Sequence, residues 1–450
     1  MRDLGLVVFL LALIGLGFKR PFLLVCAYVY IDIVSPQRLS YFLLNSIPIS
    51  QIVFGLAVVA WLAADDKRDT RFGARQGLML MLLGYCALTT FQADFPDDAW
   101  SKWEWVWPSL VFAVFLPLVL RTRLRVETVL LFMILAASAI IIGAGIKTVL
   151  GGSGYGSFAM MVDNNSGLYE DSTIATVAIA IIPIILWFTR HGTIFAPDWR
   201  VKWFAWALCF ACLLMPIGTQ ARTGLVAAAV LALLMLRDSN RKALYVGAVG
   251  VAGMLALPFI PSAFSERMET ITTYQADSSA TTRLAVWAWT WDYAKQHPWG
   301  GGFDAYRANR IQVRTEEVQG SGMTQQITEQ TMADESRAYH SAYFEMLGEQ
   351  GWPGLILWLL IHAGGVWRME ALRRRYAAKR AAEGEQWIAP LATALENAHI
   401  VYMVGSLFVG IAFQPFVYMI VGVEIGLDTY LARRRKEAAW RPLRERAAAA

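Results

Sequence analysis

The chain has 450 residues, of which 56% are apolar and 17% charged, with a formal net charge of +5. Apolar runs close to the roughly 20 residues that cross a hydrocarbon core recur along it, which sets it among polytopic membrane proteins. The excess Lys and Arg lies in short loops and the tail, where membrane topology accounts for it, so nucleic-acid binding is excluded; Cys26, Cys86, Cys209 and Cys212 all fall inside apolar segments, which excludes a disulfide framework or a thiolate metal site.

In chain order, apolar spans are predicted near 4–18, 21–35, 42–64, 76–92, 104–120, 126–149, 173–189, 201–218, 223–236, 243–260, 353–367, 397–413 and 415–431. The fold class expected is an all-α membrane protein of about 12 to 13 transmembrane helices. The first span is followed by Lys19-Arg20-Pro21 rather than by small residues, so it reads as a retained helix and not as a cleaved signal. Lys and Arg concentrate in 67–75, 121–125, 190–202, 237–242, 368–380 and the tail from Arg433, which are expected in the cytoplasm. The alternate connections, 94–102, 151–171, 218–223 and 261–339, are then exterior, and Trp100, Trp103, Trp105 and Trp107 mark an interfacial belt beside one of them. No internal repeat is visible, which gives no support to the inverted-repeat design of secondary transporters.

Four regions follow: N-terminal transmembrane helices over 1–260, a large exterior loop with amphipathic helices over 261–351, C-terminal transmembrane helices over 352–432, and a basic cytoplasmic tail over 433–450. The loop is too short for an enzyme domain of ordinary size. Within it, 282–293 alternates aromatic and small residues and is expected to form a helix on the membrane surface. His297-Pro298-Trp299-Gly300-Gly301-Gly302 reads as a turn, 312–335 as a mobile or poorly ordered lid, and 339–350 as a short helix ended by Gly351 and Pro353, with His340 in its first turn.

His340 stands beside this loop at a bilayer edge, and imidazole is suited to taking a proton near neutral pH; a satisfied interfacial histidine is the alternative. Arg222 lies in the short exterior connection Thr219-Gln220-Ala221-Arg222-Thr223-Gly224, where it is either a functional cation or a side chain snorkelling to headgroups. Arg38, in Ser35-Pro36-Gln37-Arg38-Leu39, is a second exterior cation, and Arg283 is either a phosphate ligand or a partner of Asp277 or Asp292. Asp65-Asp66 and Asp97-Asp98 read as solvated loop charge, and Asp163 to Ser166 with Glu170-Asp171 as a connector or a contact for sugar hydroxyls. No metal site is expected. His191, His362 and His399 read as structural, and the spans read as nearly free of ionisable groups, which argues against a transporter.

Many spans, a large exterior loop late in the chain, the turn Ala221-Arg222-Thr223-Gly224, the series Arg283, Trp287 and 297–302, and His340 followed by Glu349-Gln350-Gly351-Trp352-Pro353-Gly354 together resemble the O-antigen ligase and O-antigen polymerase superfamily. The N-terminal Met1-Arg2-Asp3-Leu4, Lys19-Arg20-Pro21-Phe22 and Ser35 to Leu39 are similar to its O-glycosylation ligase branch. The resemblance implies a multi-pass glycosyltransferase of the bacterial inner membrane, without a cofactor, acting at the periplasmic face. Its implied partners are membrane lipids, a glycan donor on undecaprenyl pyrophosphate and, in ligases proper, a lipid A-core acceptor. Polymerases use another glycan unit as acceptor, and other relatives a protein hydroxyl. By position, His340 matches the family's loop histidine, Arg222 its turn arginine and Arg283 the arginine before the Trp and Pro-x-Gly elements. The turn lacks the serines that often flank the arginine, and Ser341 stands where Asn is more usual. The role of Glu349 is left open.

Physical chemistry fits this expectation. A lipid pyrophosphate already carries negative charge, which guanidinium groups bind well, and an acceptor hydroxyl needs one base. Arg222, Arg38 and Arg283 are therefore expected on the diphosphate and His340 on the acceptor. The competing functions are a carrier of lipid-linked glycans and a scaffold subunit.

Overall fold

The computed structural model describes residues 2–36, 44, 47–68, 70–149, 168–196, 198–237, 242, 247, 250, 278–319 and 326–439. Among them run α1 (Arg2–Lys19), α2 (Phe22–Val34), α3 (Ile49–Ala64), α4 (Ala74–Phe91), α5 (Pro96–Val119), α6 (Arg123–Val149), α7 (Asp171–His191), α8 (Trp199–Gly218) and α9 (Arg222–Arg237). After these come α10 (Ser278–Gln296), a 3-10 turn (Ala305–Ala308), strands β1 (Arg310–Gln319) and β2 (Gln326–Glu335), then α11 (Ala342–Arg375), α12 (Ile388–Gly405) and α13 (Pro415–Ala438). Helices α6, α7, α8, α11 and α13 are long and apolar enough to cross a membrane, and Leu4–Lys19, Phe22–Val34 and Ile49–Ala64 are shorter apolar helices. The chain is thus an all-α polytopic membrane protein, with one small antiparallel strand pair among the described residues. All of the 243–260 span but residues 247 and 250, and the site residue Arg38, lie outside the described residues.

Local sequence sets the helix ends. Glu170 caps α7 by accepting from the Thr173 N–H at 2.5 Å, and Gln414 caps α13 from the Phe416 N–H at 2.8 Å, with Pro415 at the first helical position. Pro96 opens α5, and Asp97 and Asp98 lie in its first turn, where the helix dipole favours them. Helices α7 and α13 are the most enclosed of the long spans and form the centre of the bundle. Tyr28 of α2 packs on Phe112 of α5 with ring centroids 4.2 Å apart, near the middle of one continuous apolar core.

The basic loops gather at one end of the bundle. Arg125 grips Asp65 at 2.6 and 2.9 Å, Arg121 reaches Asp66, Arg123 donates to the His191 carbonyl, Arg237 pairs with Glu396 and Arg368 with Asp428. At the opposite end, the Asp94 N–H donates to the Gly301 carbonyl at 2.8 Å and Arg307 pairs with Asp98 at 2.9 Å. Alternation of the loops, read from charge alone, is therefore reproduced by contacts among them.

Three local expectations are corrected. Residues 312–319 and 326–335 are not a loose lid: they pair antiparallel, Arg310 opposite Glu335 through Gln319 opposite Gln326. The span expected at 397–413 is helix Ile388–Gly405, because the polar Glu396, Asn397 and His399 depress hydropathy in a helix buried by its neighbours. His340 precedes its helix rather than sitting in its first turn; Ser341 is the N-cap.

Candidate active site

A broken helix organises the exterior end. Pro353 has no N–H, so the Glu349 carbonyl would lose its helical donor, and Gly351 inside α11 has the non-helical φ of 62° and ψ of −165°. The glycine turn repairs the break. The Gly301 and Gly302 N–H groups donate to the carbonyls of Gly348 and Glu349 at 3.0 and 2.9 Å, and the Trp352 N–H donates to the Pro298 carbonyl at 3.0 Å. Bulk is excluded on both sides of the contact, since a side chain on Gly351 would overlap the Pro298 carbonyl oxygen and one on Gly300 the Glu349 carbonyl oxygen. Tyr85 fastens the turn to α4 by donating to the Trp299 carbonyl at 2.8 Å.

Just before α11, His340 has φ 48°, a left-handed conformation uncommon outside glycine, although His, Asn and Asp adopt it more readily than other residues. The surroundings impose it. Buried Tyr339 accepts at its carbonyl from Trp287 Nε1 at 2.8 Å and packs with Val286 and Ile311, while Phe344 stacks on Trp287 at 5.0 Å. On the upstream side, Asn309 Nδ2 donates to the Arg337 carbonyl at 2.7 Å and Asn309 Oδ1 accepts from the Arg337 N–H at 3.0 Å. Downstream, the Ala342 N–H donates to the Ser406 carbonyl at 2.8 Å. Strain held by so many contacts is a frequent mark of a functional position.

His340 keeps solvent access, yet protein atoms crowd its ring. That partial burial, then the nearby cations of Arg283 and Arg337, hold its pKa below the usual imidazole value, against the opposing pull of Glu170. The structure thus brings His340 and Arg283 within electrostatic reach of each other, with Glu170 as a third member that sequence reading took for a connector or sugar contact. Arg222 is the first residue of α9 and half-buried. Two residues on, Gly224 abuts Ala175 of α7, one to two turns below Glu170, so α9 begins at the same end of the bundle. Tyr169, adjacent to Glu170, donates to the Val34 carbonyl at 2.6 Å, which ties the end of α2, four residues before Arg38, to this place.

Beneath lies a buried ionic cluster. Lys102 of α5 bonds Glu345 at 2.7 Å and Glu349 at 2.7 and 3.0 Å, and Asp304 stands 3.7 Å away. Glu349 also accepts from the Asp304 N–H at 3.0 Å, and Glu345 from the Ala412 N–H at 3.0 Å. Burial raises the Asp304 pKa, with Lys102 and Arg307 acting in the other direction. Glu349 is therefore a tie between α11, α5 and the loop. Asp98, read as solvated, is half-exposed and holds Arg307. Among the described residues, no three His, Cys, Asp or Glu side chains are grouped to hold a metal ion.

An imidazole shifted toward its neutral form, beside guanidinium groups at a membrane edge, can deprotonate an alcohol next to a bound anion. Comparison with known proteins bears on the same segment. Residues 207–359, which include Arg222, Arg283 and His340, match the family model described as O-antigen ligase. Residues 1–193 match a family of unknown function, DUF5935. No curated protein matches the chain.

Proposed function

Since the chain belongs, through residues 207–359, to the O-antigen ligase superfamily, a superfamily of membrane glycosyltransferases of ligase and polymerase type, we propose that it transfers a glycan from undecaprenyl pyrophosphate to a hydroxyl of lipid A-core at the periplasmic face of the inner membrane. Arg222 and Arg283, with Arg38, hold the diphosphate. His340 removes the acceptor proton as the acceptor oxygen attacks the anomeric carbon, and the electron pair of the breaking C–O bond leaves on the pyrophosphate. A single displacement inverts the anomeric centre. The arginines supply the positive charge, so the scheme needs no divalent ion or other cofactor. Fixed cations in a partly dehydrated site stabilise the departing pyrophosphate more than they would in water.

The observation carrying this reading is His340 on a left-handed backbone, its proton affinity lowered by crowding and by Arg283. The lipid acceptor is favoured by the interfacial aromatic residues of the loop, with Trp291 and Trp299 exposed close to the kink.

The test uses purified protein in lipid, supplied with the undecaprenyl-linked glycan and lipid A-core. Product is expected with wild type, and with EDTA present, and its rate of formation falls sharply but measurably with Arg222→Ala and with Arg283→Ala at unchanged protein level. Extension of glycan chains with no transfer to lipid A-core would make the protein a polymerase. Transfer to a protein hydroxyl would make it a protein glycosyltransferase, and glycan crossing the bilayer without transfer a transporter.

A further inference from the structure

A second set of titratable groups lies inside the membrane part, where the sequence reads as nearly free of them. Glu424 of α13 accepts from Arg75 of α4 at 2.7 Å and from Nδ1 of His399 of α12 at 2.8 Å. With its Nδ1–H donated to Glu424, neutral His399 is a bare acceptor at Nε2 and takes a hydrogen bond from Nδ1 of His362 of α11, also at 2.8 Å. His362 is then left with an acceptor at Nε2, which no described residue hydrogen-bonds. All three of these acid and imidazole side chains are buried, and only the Arg75 end has slight exposure. His362 follows the Gly351 kink by eleven residues, about 16 Å of helix, which is near the middle of a hydrocarbon core of about 30 Å.

We propose that His362, His399 and Glu424 form a proton-binding relay in mid-membrane, which takes one proton at Nε2 of His362 and holds it on His399 beside Glu424. The balance is simple. As a proton bonds Nε2 of His362, the Nδ1 proton of that ring passes to Nε2 of His399; His362 ends neutral and His399 ends as an imidazolium against the carboxylate. A second proton would put two cations at 2.8 Å, so uptake stops at one.

Gly365 of α11 leaves the room this arrangement needs, since a side chain there would stand 2.5 Å from Glu424 Oε2 and 2.8 Å from His399 Cε1. Among the described residues, the other charges near the relay on its helices are matched. Asp428, one turn beyond Glu424, is paired with Arg368 of α11 at 2.8 Å, and Glu396 of α12 is paired with Arg237 of α9 at 3.0 Å. Tyr418 presents its ring 6.0 Å from that of His362. Arg75, the other partner of Glu424, works against uptake, and a proton on His399 weakens its hold on that carboxylate. The relay uses no residue of the exterior site, and the proposal stands whether or not the transfer reaction does.

Solid-state NMR on protein labelled with 15N-histidine in lipid bilayers, titrated between about pH 8 and pH 5, reads ring protonation directly. His399→Gln assigns its signal. Wild type is expected to gain one imidazolium on His399 while His362 stays neutral. His362→Gln leaves the Arg75, Glu424 and His399 bonds in place and is expected to remove that uptake. Both rings staying neutral throughout, or His399 titrating unchanged in His362→Gln, would overturn the proposal.

Discussion

His340 shows how backbone and charge act on one side chain. Its imidazole must be neutral to take a proton, so the reaction rate rises as pH passes upward through its pKa, which crowding and Arg283 hold below the usual value. Removing the cation in Arg283→Gln raises that pKa and moves the acidic limb of kcat/KM to higher pH; Glu170→Gln removes the opposing charge and moves it lower. A pH–rate profile of the three proteins checks this, and shifts of the same sign in both variants would mean that another group titrates. A substitution can also separate the base from the strain. Asn tolerates a left-handed backbone, so His340→Asn keeps the φ of 48° and loses only the imidazole. Its rate is expected to fall about 10²- to 10⁴-fold with the protein still folded, and a rate within a few fold of wild type would remove His340 from the chemistry.

At the scale of elements, the break in α11 and the glycine turn form one joint, and the Lys102 cluster lies against it. Gly351→Ala puts a side chain into a backbone region that is essentially glycine-only and against the Pro298 oxygen, at a cost of about 1–3 kcal/mol from the backbone alone. Lys102→Met leaves the enclosed Glu345 and Glu349 without their shared cation, a loss of about 3–5 kcal/mol. Thermal unfolding in detergent should show both falls, and Glu349→Gln added to Lys102→Met should recover part of the second by removing one of the stranded charges. An unchanged melting temperature in Lys102→Met would mean that the cluster is hydrated. The motif Pro298 to Gly302 is legible as a turn from its residues alone, but its work as the cap of a helix about 50 residues later is not, because the donors it supplies answer the Gly348 and Glu349 carbonyls freed where Gly351 and Pro353 break that helix.

For the whole molecule, the loops sort into two ends, one holding Asp65, Arg125, Arg237 and Arg368 and the other Asp94, Asp98 and Gly301. The four native cysteines are buried thiols and give little background for labelling. Asp97→Cys should react with a membrane-impermeant maleimide on intact cells, and Arg434→Cys only after permeabilisation. The reverse pattern would turn the protein over and move His340 to the cytoplasm. The sequence reading of an apolar membrane interior fails here for a physical reason: Glu396, His399 and Glu424 are each matched by a partner from another helix, so their burial needs no apolar substitute.

Hydropathy and the placement of Lys and Arg, both properties of local chain composition, were enough to specify a helical membrane protein, most of its spans and the pairing of its loops into two faces. The motifs around Arg222, Arg283 and His340 were equally local and pointed to the family. Contacts between segments far apart in the chain lay beyond such reading: Glu170 beside His340, Lys102 between Glu345 and Glu349, the pairing of residues 310–319 with 326–335, and His362 against His399. Whether a buried charge or a strained backbone is tolerated depends on which groups the folded helices bring alongside it, and that is settled only when the bundle closes.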